Sequence, residues 1–119
     1  MRLLLAHAAT KVNQTSTNIG FTPLFIACHY GYKEVVRLLL DKDATDVNKA
    51  TTDEYGVTPL LMACQNGHEE VVRLLLAHAT IDVNQATTNN GSTPLYTACY
   101  YGYEEVVRLL LAHAEPKVN

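Results

Sequence analysis

The sequence predicts an all-α repeat solenoid, made of stacked helix-turn-helix units with projecting finger or hairpin loops, and three recurrences carry that prediction. Arg-Leu-Leu-Leu begins at positions 2, 37, 73 and 108. Thr-Pro-Leu begins at 22, 58 and 93, and Val-Asn at 12, 47, 83 and 118. Phrases that share a step of 35 or 36 residues mark units that cannot bury their apolar faces alone and do so by stacking on neighbours.

The middle unit shows how each element arises. Thr58-Pro59 is a helix start, with a hydroxyl at the cap and proline at the first helical position, where its missing N–H costs nothing. Leu60 to Cys64 carry a short helix, and Asn66-Gly67 stops it, glycine taking the left-handed conformation at the helix end. A second helix begins at His68-Glu69-Glu70, its acids favourably placed in the first turn. Val71, Val72, Leu74, Leu75 and Leu76 make an apolar surface too broad for a lone surface helix, so both sides are expected to pack. Glu69 and Arg73 stand four apart on the exposed side, a spacing at which they can pair. Asp82-Val83-Asn84 and the polar run 85–91, ending in Asn-Gly, predict an extended finger or hairpin.

Bulk properties bound the function. At 119 residues the chain is one domain, and its apolar content of 48% suits a folded soluble protein. No run approaches the roughly 18 apolar residues of a membrane span. The net charge of −3, with acids and bases interspersed, argues against nucleic acid or a membrane as partner. The opening Met-Arg-Leu-Leu-Leu-Ala-His-Ala imitates a secretion signal, but it is too short, and residues 2–8 recur at 73–79 and 108–114. It reads as half a unit. Cys28, Cys64 and Cys99 share one phase, on helices expected ~8–10 Å apart, beyond the ~7 Å reach of a disulfide or the convergence a zinc ion needs. They are expected to be small, buried and reduced, as in a cytoplasmic protein.

Gly56-x-Thr58-Pro59-Leu60, Ala63, Gly67-His68, Glu70-Val71-Val72, Leu74-Leu75-Leu76 and Asp82-Val83-Asn84 together resemble the ankyrin repeat. Three full units fit, at 13–48, 49–84 and 85–119, preceded by the second helix of a fourth at 1–12. The chain departs from the family in its period, which there is 33 residues, and in the histidine that follows Thr-Pro-Leu. Phe25, Leu61 and Tyr96 stand at that position, so the hydrogen bonds such histidines make across repeats must be lost or replaced.

The second and third units differ where stacking does not constrain them. Glu69–Ala79 and Glu104–Ala114 are identical over eleven residues. By contrast Asp53-Glu54-Tyr55 gives way to Asn89-Asn90, Leu61-Met62 to Tyr96-Thr97, and Gln65-Asn66-Gly67-His68 to Tyr100-Tyr101-Gly102-Tyr103. The resemblance implies that finger tips and first-helix surfaces line a concave groove that holds another protein. The implied contacts are Asn18, Ile19, Phe21, His29 and Tyr30 in the first unit. Glu54, Tyr55, Val57, Gln65 and Asn66 follow in the second, and Asn89, Asn90, Ser92, Tyr100 and Tyr101 in the third. Tyrosine suits the task, offering a large rigid contact area and a hydroxyl to aim. Tyr32 and Tyr103, at the turns between helices, are expected to be structural.

Catalysis and cofactors find no support. Polar residues recur at one phase and so form ladders rather than convergent clusters; His7, His78 and His113 are an example. No metal site, phosphate-binding glycine loop or nucleophile with a base nearby is expected, and the module is predicted to be non-enzymatic. The chain begins inside a second helix and ends just after Val-Asn, without polar capping units. An alternative role follows: a structural spacer or segment of a longer array that associates weakly end to end through Leu3, Leu4 and Leu5 at one end and Val106 to Leu111 at the other.

Overall fold

The computed structural model describes residues 12–15 and 19–114. The half unit expected over 1–12, with Leu3, Leu4 and Leu5, therefore lies outside the described residues apart from Val12. Six helices follow one another: α1 (Pro23–Tyr30), α2 (Lys33–Leu40), α3 (Pro59–Gln65), α4 (Glu69–Leu76), α5 (Pro94–Tyr101) and α6 (Glu104–Ala114). No strand occurs among the described residues. Each odd-numbered helix packs on the even-numbered one that follows it, and the pairs stack so that α1, α3 and α5 form one row and α2, α4 and α6 another.

The first helices begin as their sequence dictates. Thr22, Thr58 and Thr93 each accept a hydrogen bond on their side chain, from the amides of Phe25, Leu61 and Tyr96, at 3.0, 3.1 and 3.1 Å. Each bond satisfies an N–H that a helix start leaves without a partner, and a proline follows at the first helical position. α1 ends at Gly31, whose φ of +76° is the left-handed conformation that closes the helix. α4 starts without a side-chain cap but carries Glu69 and Glu70 in its first turn, where the helix dipole favours negative charge.

Stacking supplies the stability. Leu24 and Leu60 are 1% exposed, and Leu75, Val36, Val72 and Val106 are fully buried in the same core. Burial of such a side chain stabilises the fold by about 1.5–3 kcal/mol. Ala27, Ala63 and Ala98 repeat at the phase where first helices face one another and are all buried, a small residue there allowing close approach.

Three expectations need correction. Cys28 and Cys64 are buried, but Cys99 is exposed, because no helix of the described chain follows α5 in its row. Arg73 pairs with Glu70, three residues away at 3.4 Å, and across the stack with Glu105 at 3.4 Å, rather than with Glu69. At the last pair, Val106 and Leu110 are buried while Leu111 is half exposed, since the first two point inward and toward α4 and only the third meets solvent.

The fingers are compact loops rather than hairpins. In the second, the Thr51 amide donates to the Val57 carbonyl at 2.9 Å, and Val57 N–H returns to the Thr51 hydroxyl at 2.9 Å. Thr87 and Ser92 repeat the pattern in the third at 2.9 and 3.0 Å. One backbone bond joins each finger to the next, from Thr52 to the Ile19 carbonyl and from Thr88 to the Tyr55 carbonyl. A single bridging bond at each step is too little pairing to propagate a strand.

Candidate functional site

Between the second and third fingers and the exposed faces of α3 and α5 lies a cleft of about 440 Å³. Tyr55 and Val57 enter it from the second finger, and Asn89, Asn90 and Ser92 from the third. Gln65 comes from the end of α3, and Tyr100 and Tyr101 from the end of α5. These are sequence-predicted contacts from two units, brought to one place by the stacking of fingers on one side and first helices on the other.

Four tyrosines, Tyr55, Tyr96, Tyr100 and Tyr101, line the cleft beside its polar side chains. Of the seven tyrosines only Tyr103 is not exposed. Tyr100, at 72%, is the most exposed of the large apolar side chains among the described residues. Its ring lies nearly parallel to that of Tyr96, with centroids 6.3 Å apart, and meets Tyr101 edge-on at 5.1 Å. No lining residue carries a formal charge. The arrangement offers ring faces, hydroxyls and side-chain amides, chemistry that can hold a ligand. Among the described residues no three His, Cys, Asp or Glu side chains come together as metal ligands would.

Some of the predicted contacts have structural duties. The Asn66 amide nitrogen donates to the His29 carbonyl at 2.8 Å, tying α3 to the end of α1. Asn90 Oδ1 accepts from the Thr87 hydroxyl at 2.9 Å and from the Ser92 hydroxyl at 2.8 Å, so Asn90 and Ser92 shape the third finger as well as lining the cleft. Asp53 does the same work in the second finger. Its Oδ1 accepts from the Thr51 hydroxyl at 2.8 Å and from the amides of Tyr55 and Gly56 at 3.1 and 3.3 Å. Those bonds, the Thr51 one foremost, hold the Asp53 carboxyl below its ordinary range.

The first-unit contacts lie apart from this cleft. Phe21 stacks on Phe25 at 4.8 Å and lines a separate depression with Pro23, Ile26 and Tyr32. His29 is half-buried against exposed Tyr30, whose ring stacks in turn on Tyr32 at 5.6 Å. Ile19 is half-buried, its carbonyl bonded to Thr52, and Glu54 is exposed, its carbonyl accepting from the Thr88 hydroxyl. Asn18 lies outside the described residues. Tyr32, expected to be structural like Tyr103, is 54% exposed.

The expected contact set omitted Tyr96, Leu61, Thr87 and Thr97, which also line the cleft. The Leu61-Met62 to Tyr96-Thr97 difference between units was the available signal for Leu61, Tyr96 and Thr97. Stacking moreover depends on an asparagine ladder that the Val-Asn phrase announces without explaining. Asn48 Oδ1 accepts from Asp82 N at 2.8 Å while its amide donates to the Thr80 carbonyl at 2.8 Å. Asn13 repeats both bonds with Asp46 and Ala44.

Comparison with known proteins agrees with this architecture. A family model described as ankyrin repeats (3 copies) matches residues 45–119, and a single ankyrin-repeat model matches residues 19–52. No curated protein matches the chain as a relative.

Proposed function

Because the chain belongs to the ankyrin-repeat family, we propose that it is a non-catalytic module that holds a segment of another protein in the groove formed by its fingers and first helices. Ankyrin repeats are generally protein–protein interaction modules and generally not enzymes. The observation that carries the finer reading is the exposure of Tyr55, Tyr96, Tyr100 and Tyr101 around one uncharged cleft. Aromatic side chains left in solvent around a concavity are the usual anchors of a binding surface. A charged partner surface would lose hydration there without gaining a counter-charge, so the occupant presents neutral and apolar groups. Three free cysteines favour a reducing, cytoplasmic setting. The net charge of −3 speaks against nucleic acid as the partner.

Affinity capture from lysate tests the reading, with wild type beside a Tyr55, Tyr100, Tyr101 triple-alanine variant shown by circular dichroism to be folded. A protein retained by the wild type and lost by the variant supports the groove. Equal capture by both moves the function off this surface. A second reading, end-to-end self-association, is favoured by apolar side chains exposed on the first and last described units, among them Val35, Leu38 and Leu111.

A further inference from the structure

The cleft between the second and third units leaves a visiting chain few ways to bind. Adding a strand requires a row of unpaired backbone N–H and C=O groups on an edge. Here the finger backbones are already engaged. In the second finger the amides of Tyr55 and Gly56 donate to Asp53 Oδ1 at 3.1 and 3.3 Å, and that of Val57 to the Thr51 hydroxyl at 2.9 Å. In the third, Thr87 N–H donates to the Ser92 carbonyl and Thr88 N–H to the Tyr55 carbonyl, both at 2.9 Å. Ser92 N–H donates to the Thr87 hydroxyl at 3.0 Å. These fingers present no strand edge to the cleft.

An amphipathic helix fits no better. Such a helix lays an apolar face into a hydrophobic groove. The aliphatic residues that line this cleft are Val57, half-buried, and Leu61, only 3% exposed, with Thr97 also buried beside them. Everything else that lines it is aromatic, amide or hydroxyl.

A polyproline II segment asks for that combination. It has no internal hydrogen bonds, so every carbonyl is open to a donor, and its prolines have no N–H to satisfy. Its rings dock against aromatic side chains, and its preformed shape reduces the ordering cost of binding. The cleft supplies both requirements. The rings of Tyr100 and Tyr101 meet at 82° with centroids 5.1 Å apart, which makes an aromatic corner. Gln65 and Asn89 carry side-chain amides that make no hydrogen bond to another described residue. With no charged side chain in the lining, nothing in the cleft offers an ion a partner.

We infer that the occupant of this cleft is an uncharged, proline-rich segment of another protein, held as a polyproline II helix. Its pyrrolidine rings pack in the corner of Tyr100 and Tyr101, and its carbonyls accept from the amides of Gln65 and Asn89. The inference rests on the groove reading above and narrows it to one class of partner.

Selection from a phage-displayed library of random peptides tests it, with the full chain as bait. A length of roughly twelve residues gives about four polyproline II turns. Selected peptides are then titrated by fluorescence anisotropy against wild type, Tyr100→Ala and Gln65→Ala, each shown by circular dichroism to be folded. The enriched peptides should be rich in proline and poor in Asp, Glu, Lys and Arg. Their affinity should fall at least about tenfold with Tyr100→Ala, as loss of an anchor does. Gln65→Ala should cost about two- to tenfold, as loss of one hydrogen bond does. Enriched peptides without proline, or with charges throughout, that still lose affinity with Tyr100→Ala overturn the polyproline assignment and leave the groove reading standing. Peptides that bind wild type and Tyr100→Ala equally overturn both. A library that yields no enrichment over the Tyr55, Tyr100, Tyr101 triple-alanine bait overturns this inference, while capture from lysate decides the groove reading separately.

Discussion

His68 reaches back across the unit boundary, and its Nε2 stands 2.9 Å from the carbonyl oxygen of His29. A carbonyl can only accept, so the bond places the imidazole proton on Nε2. His29 lies in the last turn of α1, where carbonyls have no partner within their own helix. The Asn66 amide reaches the same oxygen at 2.8 Å. Between them these two side chains tie the end of the first unit's first helix to the second unit.

The asparagine ladder makes a measurable contribution. Asn48→Ala removes the bonds to Asp82 N and the Thr80 carbonyl together. At a net of roughly 0.5–1.5 kcal/mol each, the loss should be about 1–3 kcal/mol, toward the lower end for an exposed site. Urea unfolding checks it, and an unchanged midpoint would show that water replaces both bonds at no cost.

Gly67→Ala and Gly102→Ala form a matched pair. Both place a side chain at positive φ, costing about 1–2 kcal/mol. Only Gly67→Ala also drives a methyl into the Tyr103 ring, adding roughly 1–3 kcal/mol of overpacking. Thermal denaturation in dilute solution should therefore rank Gly67→Ala clearly below Gly102→Ala. Equal losses would mean the ring moves aside freely.

Acid should loosen the second finger and leave the third intact. The Asp53 carboxyl is held low by the Thr51 hydroxyl and by two amides, so the folded state has the lower pKa. A group of that kind stabilises the fold above its unfolded pKa, near 3.9, and the contribution disappears as pH falls through the lower folded value. Amide resonances of Tyr55 and Gly56 should move below about pH 4, while Ser92, bonded to neutral Asn90, stays put. Asp53→Asn keeps an acceptor oxygen and should abolish the titration; persistence of the shift in that variant would place its origin elsewhere.

Thiol chemistry separates the three cysteines. Burial pushes the Cys64 thiol up to about 12. Cys28 is raised as well, first by burial and then by the neighbouring Cys64. Since the thiolate is the reacting form, a disulfide reagent near pH 8 should label Cys99 at once and the other two only as the stack opens. Rapid labelling of Cys64 in the native protein would contradict the close packing of α3 between α1 and α5.

Much of this architecture was legible in the residues alone. The Thr-Pro starts, the Asn-Gly and Tyr-Gly stops and the recurring leucines each act within a few residues, through caps, backbone conformation and helical spacing. They determined the helices and, by their common phase, the stacking. Comparison of units likewise singled out Tyr55, Gln65 and Tyr100, which line one cleft, because positions free of packing duties are visible as differences between copies. What the tertiary structure alone decided depends on which neighbour a position meets. Identical phases give buried Cys64 and exposed Cys99, structural Tyr103 and solvent-facing Tyr32, according to whether another unit lies against them. The asparagine ladder and the bond from His68 to His29 are long-range in the chain, 31 to 39 residues apart. Periodicity can place such partners in the same register, but only the stacked geometry brings a particular donor to a particular acceptor.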